Sequence, residues 1–243
     1  MLNLNKLKGL IFDILFPPIC FSCQTALNRA EKEKRICNGC FSKITIHATL
    51  FCGICRARLP ENKKICHKNS PYILGAATDY DETAKKLIHQ FKYRHWTGLE
   101  NIFGNILKIY LNNLRPEKTL KQFLNNCFVV PIPLYKEKER ERGFNQAEIL
   151  GKTISKILSL PLENKALVRI RETKPQAELK DWDKRKENMD KSFKAQNPER
   201  IKNANIILVD DVYTSGATIS EAVKTLRNAG AKKIIALVIA KTR

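Results

Sequence analysis

The segment Asn205-Ile-Ile-Leu-Val-Asp-Asp-Val-Tyr-Thr-Ser-Gly-Ala-Thr218 constrains this chain more than any other. Ile206, Ile207, Leu208 and Val209 make a continuous apolar run, the pattern of a strand buried on both faces of a parallel sheet. Asp210 and Asp211 follow directly. Then Thr214, Ser215, Gly216, Ala217 and Thr218 form a small-residue turn, and Ala222, Val223 and Leu226 recur at helical spacing beyond it. A strand, an acidic pair and a hydroxyl- and glycine-rich loop opening a helix suit a sugar phosphate. The unpaired N–H groups of the helix N-terminus take the phosphate. The carboxylates accept hydrogen bonds from ribose hydroxyls or hold Mg²⁺. An ordinary strand–turn–helix junction accounts for a single Asp as a helix cap, but not for two acids followed by this run of small residues.

The order of residues in this segment resembles the phosphoribosyl pyrophosphate (PRPP) loop of type I phosphoribosyltransferases. The resemblance implies PRPP bound with Mg²⁺ by Asp210, Asp211, Thr214, Ser215, Gly216, Ala217 and Thr218. Elsewhere, residues 128–134, 166–170 and 234–240 read as strands. Helical faces lie at Ala84, Leu87, Ile88 and Phe91, along residues 102–111, and at Thr153, Ile154, Ile157 and Leu158 after Gly151. Strands alternating with helices predict an α/β fold with a parallel, doubly wound sheet and ligands at the carboxyl ends of its strands. Pro131, Ile132 and Pro133 lie at such an end, where this fold would place pyrophosphate. Residues 171–188 are polar and long for a connector, and read as a lid over the site.

A charge run follows the proline loop. If residues 136–142 are extended, Lys136, Lys138, Arg140 and Arg142 align on one face as candidates for nucleic acid, with Glu137, Glu139 and Glu141 opposite. If they are helical, the charges mix into solvated pairs. The pattern alone leaves both forms open.

Seven of the eight cysteines lie before residue 67. Cys20-x2-Cys23 and Cys37-x2-Cys40 have zinc-ribbon spacing, since each Cys-x2-Cys turn presents two sulfurs on one side and two turns complete a tetrahedron. Four protein ligands leave no open position, so this Zn²⁺ is expected to be structural. Cys52-x2-Cys55 and Cys66 begin a second site, with Asn69 where a fourth cysteine is expected. His67 or His47 are candidate replacements, and a metal-free ribbon is the alternative. Cys127 sits in an apolar segment and reads as a core residue.

The formal charge of +20 favours polyanion partners without specifying one. No run approaches the ~20 apolar residues that cross a bilayer. Leu4, Leu7, Ile11, Ile14 and Leu15 instead predict an amphipathic helix that packs on its own protein, with a membrane surface as the alternative. A cytoplasmic protein is expected. Two units follow from the punctuation: residues 1–70 as an N-terminal helix with a double zinc ribbon, and residues 71–243 as a phosphoribosyltransferase-like domain with a separate core.

Paired Cys-x2-Cys knuckles, the Pro-Ile-Pro strand end, Arg140-Glu-Arg-Gly-Phe-Asn-Gln-Ala147 and the Asp-Asp loop occur in the order seen in the ComF family of competence proteins. That family is similar to the gluconate-utilisation protein GntX and, more distantly, to amidophosphoribosyltransferases. Arg169, Thr173, Gln176, Leu179, Arg185 and Asn188 resemble its lid segment. The resemblance implies a role in natural transformation, handling incoming single-stranded DNA, with helicase-like and recombination-mediator proteins as partners. Beside this stand a working phosphoribosyltransferase acting on an unidentified base or amine, and a scaffold with a vestigial site.

Overall fold

The computed structural model describes residues 17–59, 66–67, 69–93, 97–114, 122–172 and 191–242. The expected N-terminal amphipathic helix and the lid positions Thr173 to Asn188 lie outside the described residues.

A six-stranded mixed sheet forms the centre. Its strands are β1 (Leu50–Cys52), β2 (Arg58–Leu59), β3 (Ile73–Asp79), β4 (Cys127–Pro131), β7 (Asn205–Tyr213) and β8 (Lys233–Lys241), in the order β2-β1-β3-β8-β7-β4. The four strands β3, β8, β7 and β4 run parallel, while β1 pairs antiparallel with both β2 and β3. Separately, β5 (Leu167–Arg169) and β6 (Phe193–Ala195) form an antiparallel pair. Residues 166–170 are therefore a strand, as expected, but one outside the main sheet.

Alternation along β7 sorts the core into two layers. Ile207 and Val209 join the cluster built on α2 (Glu82–Tyr93), α3 (Thr97–Asn113) and α5 (Gln146–Leu158). Ile206 and Leu208 join the cluster built on α7 (Ala217–Asn228) and the β5–β6 pair. Helices α1 (Asn38–Phe41), α4 (Lys136–Arg142) and α6 (Pro198–Ile201) are short.

Three features depart from the sequence reading. Strand β3 is absent from it because Gly75, Ala76 and Ala77 have low strand propensity. Their smallness is what the packing requires: a Cβ on Gly75 would lie 3.0 Å from Leu237 and 3.3 Å from the Tyr110 hydroxyl. Helix α5 begins at Gln146 rather than after Gly151, and Gly151 sits inside it, against Leu162, Pro131 and Val129.

The third departure is the expectation of separate cores. Cys20, Phe21, Leu27, Ile36, Cys40 and Ile44 belong to the same buried cluster as α2 and α3. The His47 N–H donates to the Ala77 carbonyl at 2.8 Å, the Thr78 hydroxyl to the Thr45 carbonyl at 2.8 Å, and the Tyr110 hydroxyl to the Thr49 carbonyl at 2.9 Å. The cysteine-rich module is an extension of the sheet and its core, because an edge strand with unpaired backbone groups is stable when another strand pairs with it.

Candidate functional site

Strand β7 continues through Asp210 and Asp211 to Tyr213. Adjacent strand residues face opposite sides, so the two acids straddle the end of the sheet instead of forming one acidic edge. On one side Asp211, nearly buried, meets Lys92 from the last turn of α2, with Nζ 3.0 Å from Oδ2. On the other, Arg169 from β5 acts electrostatically on Asp210, and its guanidinium lies 5.5 Å from the Phe193 ring centre. Arg142, the last residue of α4, acts on both Lys92 and Arg169 and donates to the Gln146 Oε1 at 3.1 Å. Two cations from two elements thus meet the acid pair, and Arg142 from a third element lies within electrostatic reach of both cations.

The environment sets their protonation. Burial pushes Asp210 up to about 7, and the neighbouring Asp211 charge adds to that, while the Asp211 N–H, Lys92 and Arg169 pull it back. For Lys92, burial alone would lower the ammonium, but Asp211 and Asp210 override it and hold it above its ordinary value. Burial shifts Arg169 below its ordinary value, against the attraction of Asp210. A cluster of strongly perturbed groups at a strand terminus is the electrostatic mark of a ligand site.

The small-residue loop joins β7 to α7. Gly216 caps the helix at φ +83, and a Cβ there would collide with the Tyr213 hydroxyl, so both conformation and space demand glycine. The Ala217 N–H donates to the Ser215 hydroxyl at 3.3 Å, and the Thr242 hydroxyl donates to the Thr214 carbonyl at 3.3 Å. The Ser220 N–H donates to the Gly216 carbonyl at 2.8 Å, starting the ladder of α7 directly above the loop that Thr214, Ser215, Gly216, Ala217 and Thr218 form. Beside it, the Ile132 N–H donates to the Val209 carbonyl at 2.9 Å, tying the Pro131-Ile132-Pro133 turn to the end of β7. Asn145 fixes that turn from below. Its Nδ2 donates to the Ile132 carbonyl at 3.0 Å, and its Oδ1 accepts from the Ala147 N–H as the cap of α5.

The charge run adopts its helical form. In α4, Lys136 and Arg140 share one flank while Lys138 and Arg142 share another, so the aligned cationic strip of the extended form does not exist. Gly143 in the left-handed conformation ends the helix. Sequence reasoning missed Lys92 and Tyr93, since nothing in an amphipathic helix marks its last residues as functional. Tyr93 is 65% exposed, beside His89, with the Arg142 guanidinium 5.7 Å from its ring centre. Trp96, another aromatic near the site in sequence, lies outside the described residues.

Both metal-ligand sets assemble. Among the described residues, the donor atoms of Cys20, Cys23, Cys37 and Cys40 lie within 4.8 Å of one another, as do those of Cys52, Cys55, Cys66 and His67. The Cys20 sulfur accepts the Ser22 and Cys37 N–H groups, each at 3.4 Å, and the Cys37 sulfur accepts the Cys40 N–H at 3.3 Å. Such bonds stabilise thiolates in a metal shell. Burial pushes Cys40 up to about 12, a cost of deprotonation that a bound cation would offset. In the second set, His67 Nδ1 lies 3.5 Å from the Cys52 sulfur and 3.3 Å from that of Cys66. The apparent missing ligand at Asn69 is therefore supplied by the residue next to Cys66. His47 is excluded from this role because it is buried elsewhere, 3.3 Å from the Asp79 carboxylate. The donor chemistry of both sets fits structural zinc.

Two domain families match the chain. Residues 146–243 match the phosphoribosyl transferase domain family, and residues 11–70 match the double zinc ribbon domain. The chain is 29% identical to competence protein F of Haemophilus influenzae, over 88% of this chain and 93% of that protein. It is also 29% identical to competence protein ComFC of Bacillus subtilis, over 87% and 79% of the two chains. With the DNA utilization protein YhgH of Escherichia coli it shares 28% identity over 89% and 87%. No helix among the described residues is long and apolar enough to cross a membrane.

Proposed function

We propose that this member of the ComF family of competence proteins binds PRPP with Mg²⁺ at the end of β7 and handles single-stranded DNA during natural transformation. The observation that carries the reading is that Lys92 and Arg169 meet an acid pair beside a helix N-terminus, with Arg142 within electrostatic reach of both cations. Such a place has donors for phosphate, cations for pyrophosphate and carboxylates for the ribose diol. The α7 amides and the 214–218 loop would take the 5-phosphate, and Asp210 and Asp211 the ribose hydroxyls. The 131–133 turn and the cations would take the pyrophosphate, whose charge Mg²⁺ would share.

The DNA role draws on relatives whose names place them in competence and DNA utilization, and on a charge of +20. Tyr93, exposed beside Arg142, offers a stacking surface next to cations. A cytoplasmic site of action and helicase-like or recombination-mediator partners follow from the same family role.

A second reading, phosphoribosyl transfer to a base or amine, is favoured by one feature. Burial raises Asp210 to about 7, the range suited to a general base, and in this reading it would accept the proton of an acceptor attacking the ribose anomeric carbon as pyrophosphate departs.

Calorimetry with PRPP and Mg²⁺, run beside a single-strand DNA shift assay, tests both parts. DNA affinity should fall with salt at a log–log slope of about −0.7 per neutralised phosphate. Tyr93→Ala should cost on the order of 1–3 kcal/mol if a base stacks there. Binding of neither ligand at low salt would reject the proposal. Tight PRPP binding with no DNA shift, together with pyrophosphate release on adding bases or amines, would favour the transferase.

A further inference from the structure

The second metal-ligand set and the phosphate loop meet through two buried tyrosines. Gly53, between Cys52 and Cys55, presses on Tyr72 so closely that a Cβ there would collide with the Tyr72 carbonyl and lie 3.0 Å from its ring. Arg56, directly after Cys55, has a left-handed backbone at φ +62, and its N–H donates to the Cys52 carbonyl at 3.0 Å. That geometry directs its guanidinium over the Tyr213 ring, 5.9 Å from the centre. The Tyr72 and Tyr213 hydroxyls lie 3.2 Å apart, and both residues are only 3% exposed. Tyr213 in turn is the floor of the loop, since its hydroxyl fills the space where a side chain at position 216 would sit.

We propose that metal held by Cys52, Cys55, Cys66 and His67 sets the shape of the phosphate loop, acting through Tyr72 and Tyr213 as positioning residues. The physical basis is how little pairing holds the chain beyond Cys52. β1 joins β3 only at Phe51 and Cys52, and β2 has two residues, so sheet pairing holds Cys52 but not Cys55, Cys66 or His67. Metal ligation supplies the missing constraint, because it fixes donors from both ends of the segment at once. With the knuckle fixed, Gly53 and Arg56 confine Tyr72 and Tyr213 from one side while the loop rests on the other. A released knuckle removes that confinement and lets Tyr213 move out from beneath Gly216. The first set lacks this link, because its residues pack on α2 and α3 rather than on the loop.

The test compares the full chain with His67→Ala, His67→Cys and Tyr72→Phe, by elemental analysis, amide hydrogen exchange of residues 214–218 without ligand, and calorimetry with PRPP and Mg²⁺. His67→Ala should lower zinc from about two ions per chain to about one. Its loop amides should exchange about tenfold faster, since local opening is set by local constraint. His67→Cys, which restores four donors, should return both readouts to those of the parent chain. Tyr72→Phe should keep both metals yet still quicken exchange in the loop.

Loss of one zinc with loop exchange unchanged within about twofold would overturn the proposal, as would unchanged exchange in Tyr72→Phe. Only the calorimetric readout rests on the PRPP reading. Exchange that follows the metal in a chain that binds no PRPP would reject that reading and uphold the coupling.

Discussion

Helix α4 and the loop after β7 are both candidates for anions, and they achieve very different things. Helix α4 carries four basic residues in seven, but three acids are interleaved with them and all seven side chains are left unburied, so its charges are solvated and partly cancelled. The loop at 214–218 contains no basic residue. Its capacity comes from backbone N–H groups held by Gly216 and Tyr213, and from cations delivered by α2, β5 and the last residue of α4. Anion binding in this molecule arises from convergence of distant groups in a partly desolvated place, where each charge counts for more than at the surface. Arg142, at the end of the charge run, reaches that place through its effect on Lys92 and Arg169.

The largest effect is expected at the acid pair. Replacing Asp210 and Asp211 together by Asn should remove nearly all stabilisation by PRPP and Mg²⁺. In the parent chain that stabilisation should be about 2.7 kcal/mol when ligand is at a hundred times Kd. In melting temperature this is roughly 5–10 °C for a chain of this size. An equal thermal shift in the double variant would show that the ligand does not engage β7.

A smaller contrast is expected within α4. Arg142→Glu should weaken PRPP about tenfold or more, because it reverses a charge facing Lys92 and Arg169, whereas Lys136→Glu should stay within about twofold, as exposed charges are screened. Equal losses at both positions, measured by calorimetry, would mean that net charge and not convergence governs binding.

The smallest effect concerns pH. Asp210 titrates near 7 in the folded protein against 3.8 ordinarily. The folded state therefore keeps a proton that the unfolded chain has already released between those values. Unliganded stability should consequently fall as pH rises through that window and level off above it. Asp210→Asn should flatten the decline and raise the melting temperature at about pH 8 by roughly 2–4 °C, the equivalent of about 1 kcal/mol. PRPP with Mg²⁺ should bind more tightly as pH passes 7 and Asp210 ionises. A melting temperature with the same pH profile in both proteins would remove Asp210 from this role.

Local chemistry was legible from the chain alone where neighbours in sequence are also neighbours in space. Residues 205–218 make a strand, a turn and a helix start by their own order, and Cys20, Cys23, Cys37 and Cys40 make a metal tetrad by spacing. The parallel α/β architecture follows from alternating apolar runs. Other features depended on long-range packing. β3 is a strand because small residues fit beneath Tyr110, against the grain of their propensity. Residues 136–142 supported two conformations equally on pattern, and the structure chose the helix. His67 rather than His47 completes the second metal set, because His47 is engaged at the end of β3. Lys92 and Arg169 flank the acid pair because β7 turns successive side chains to opposite faces, and elements from either side of the sheet reach them there. Sequence spacing specifies contacts within a turn or a strand, whereas the charged environment of Asp210 and Asp211 exists only once separate layers have packed.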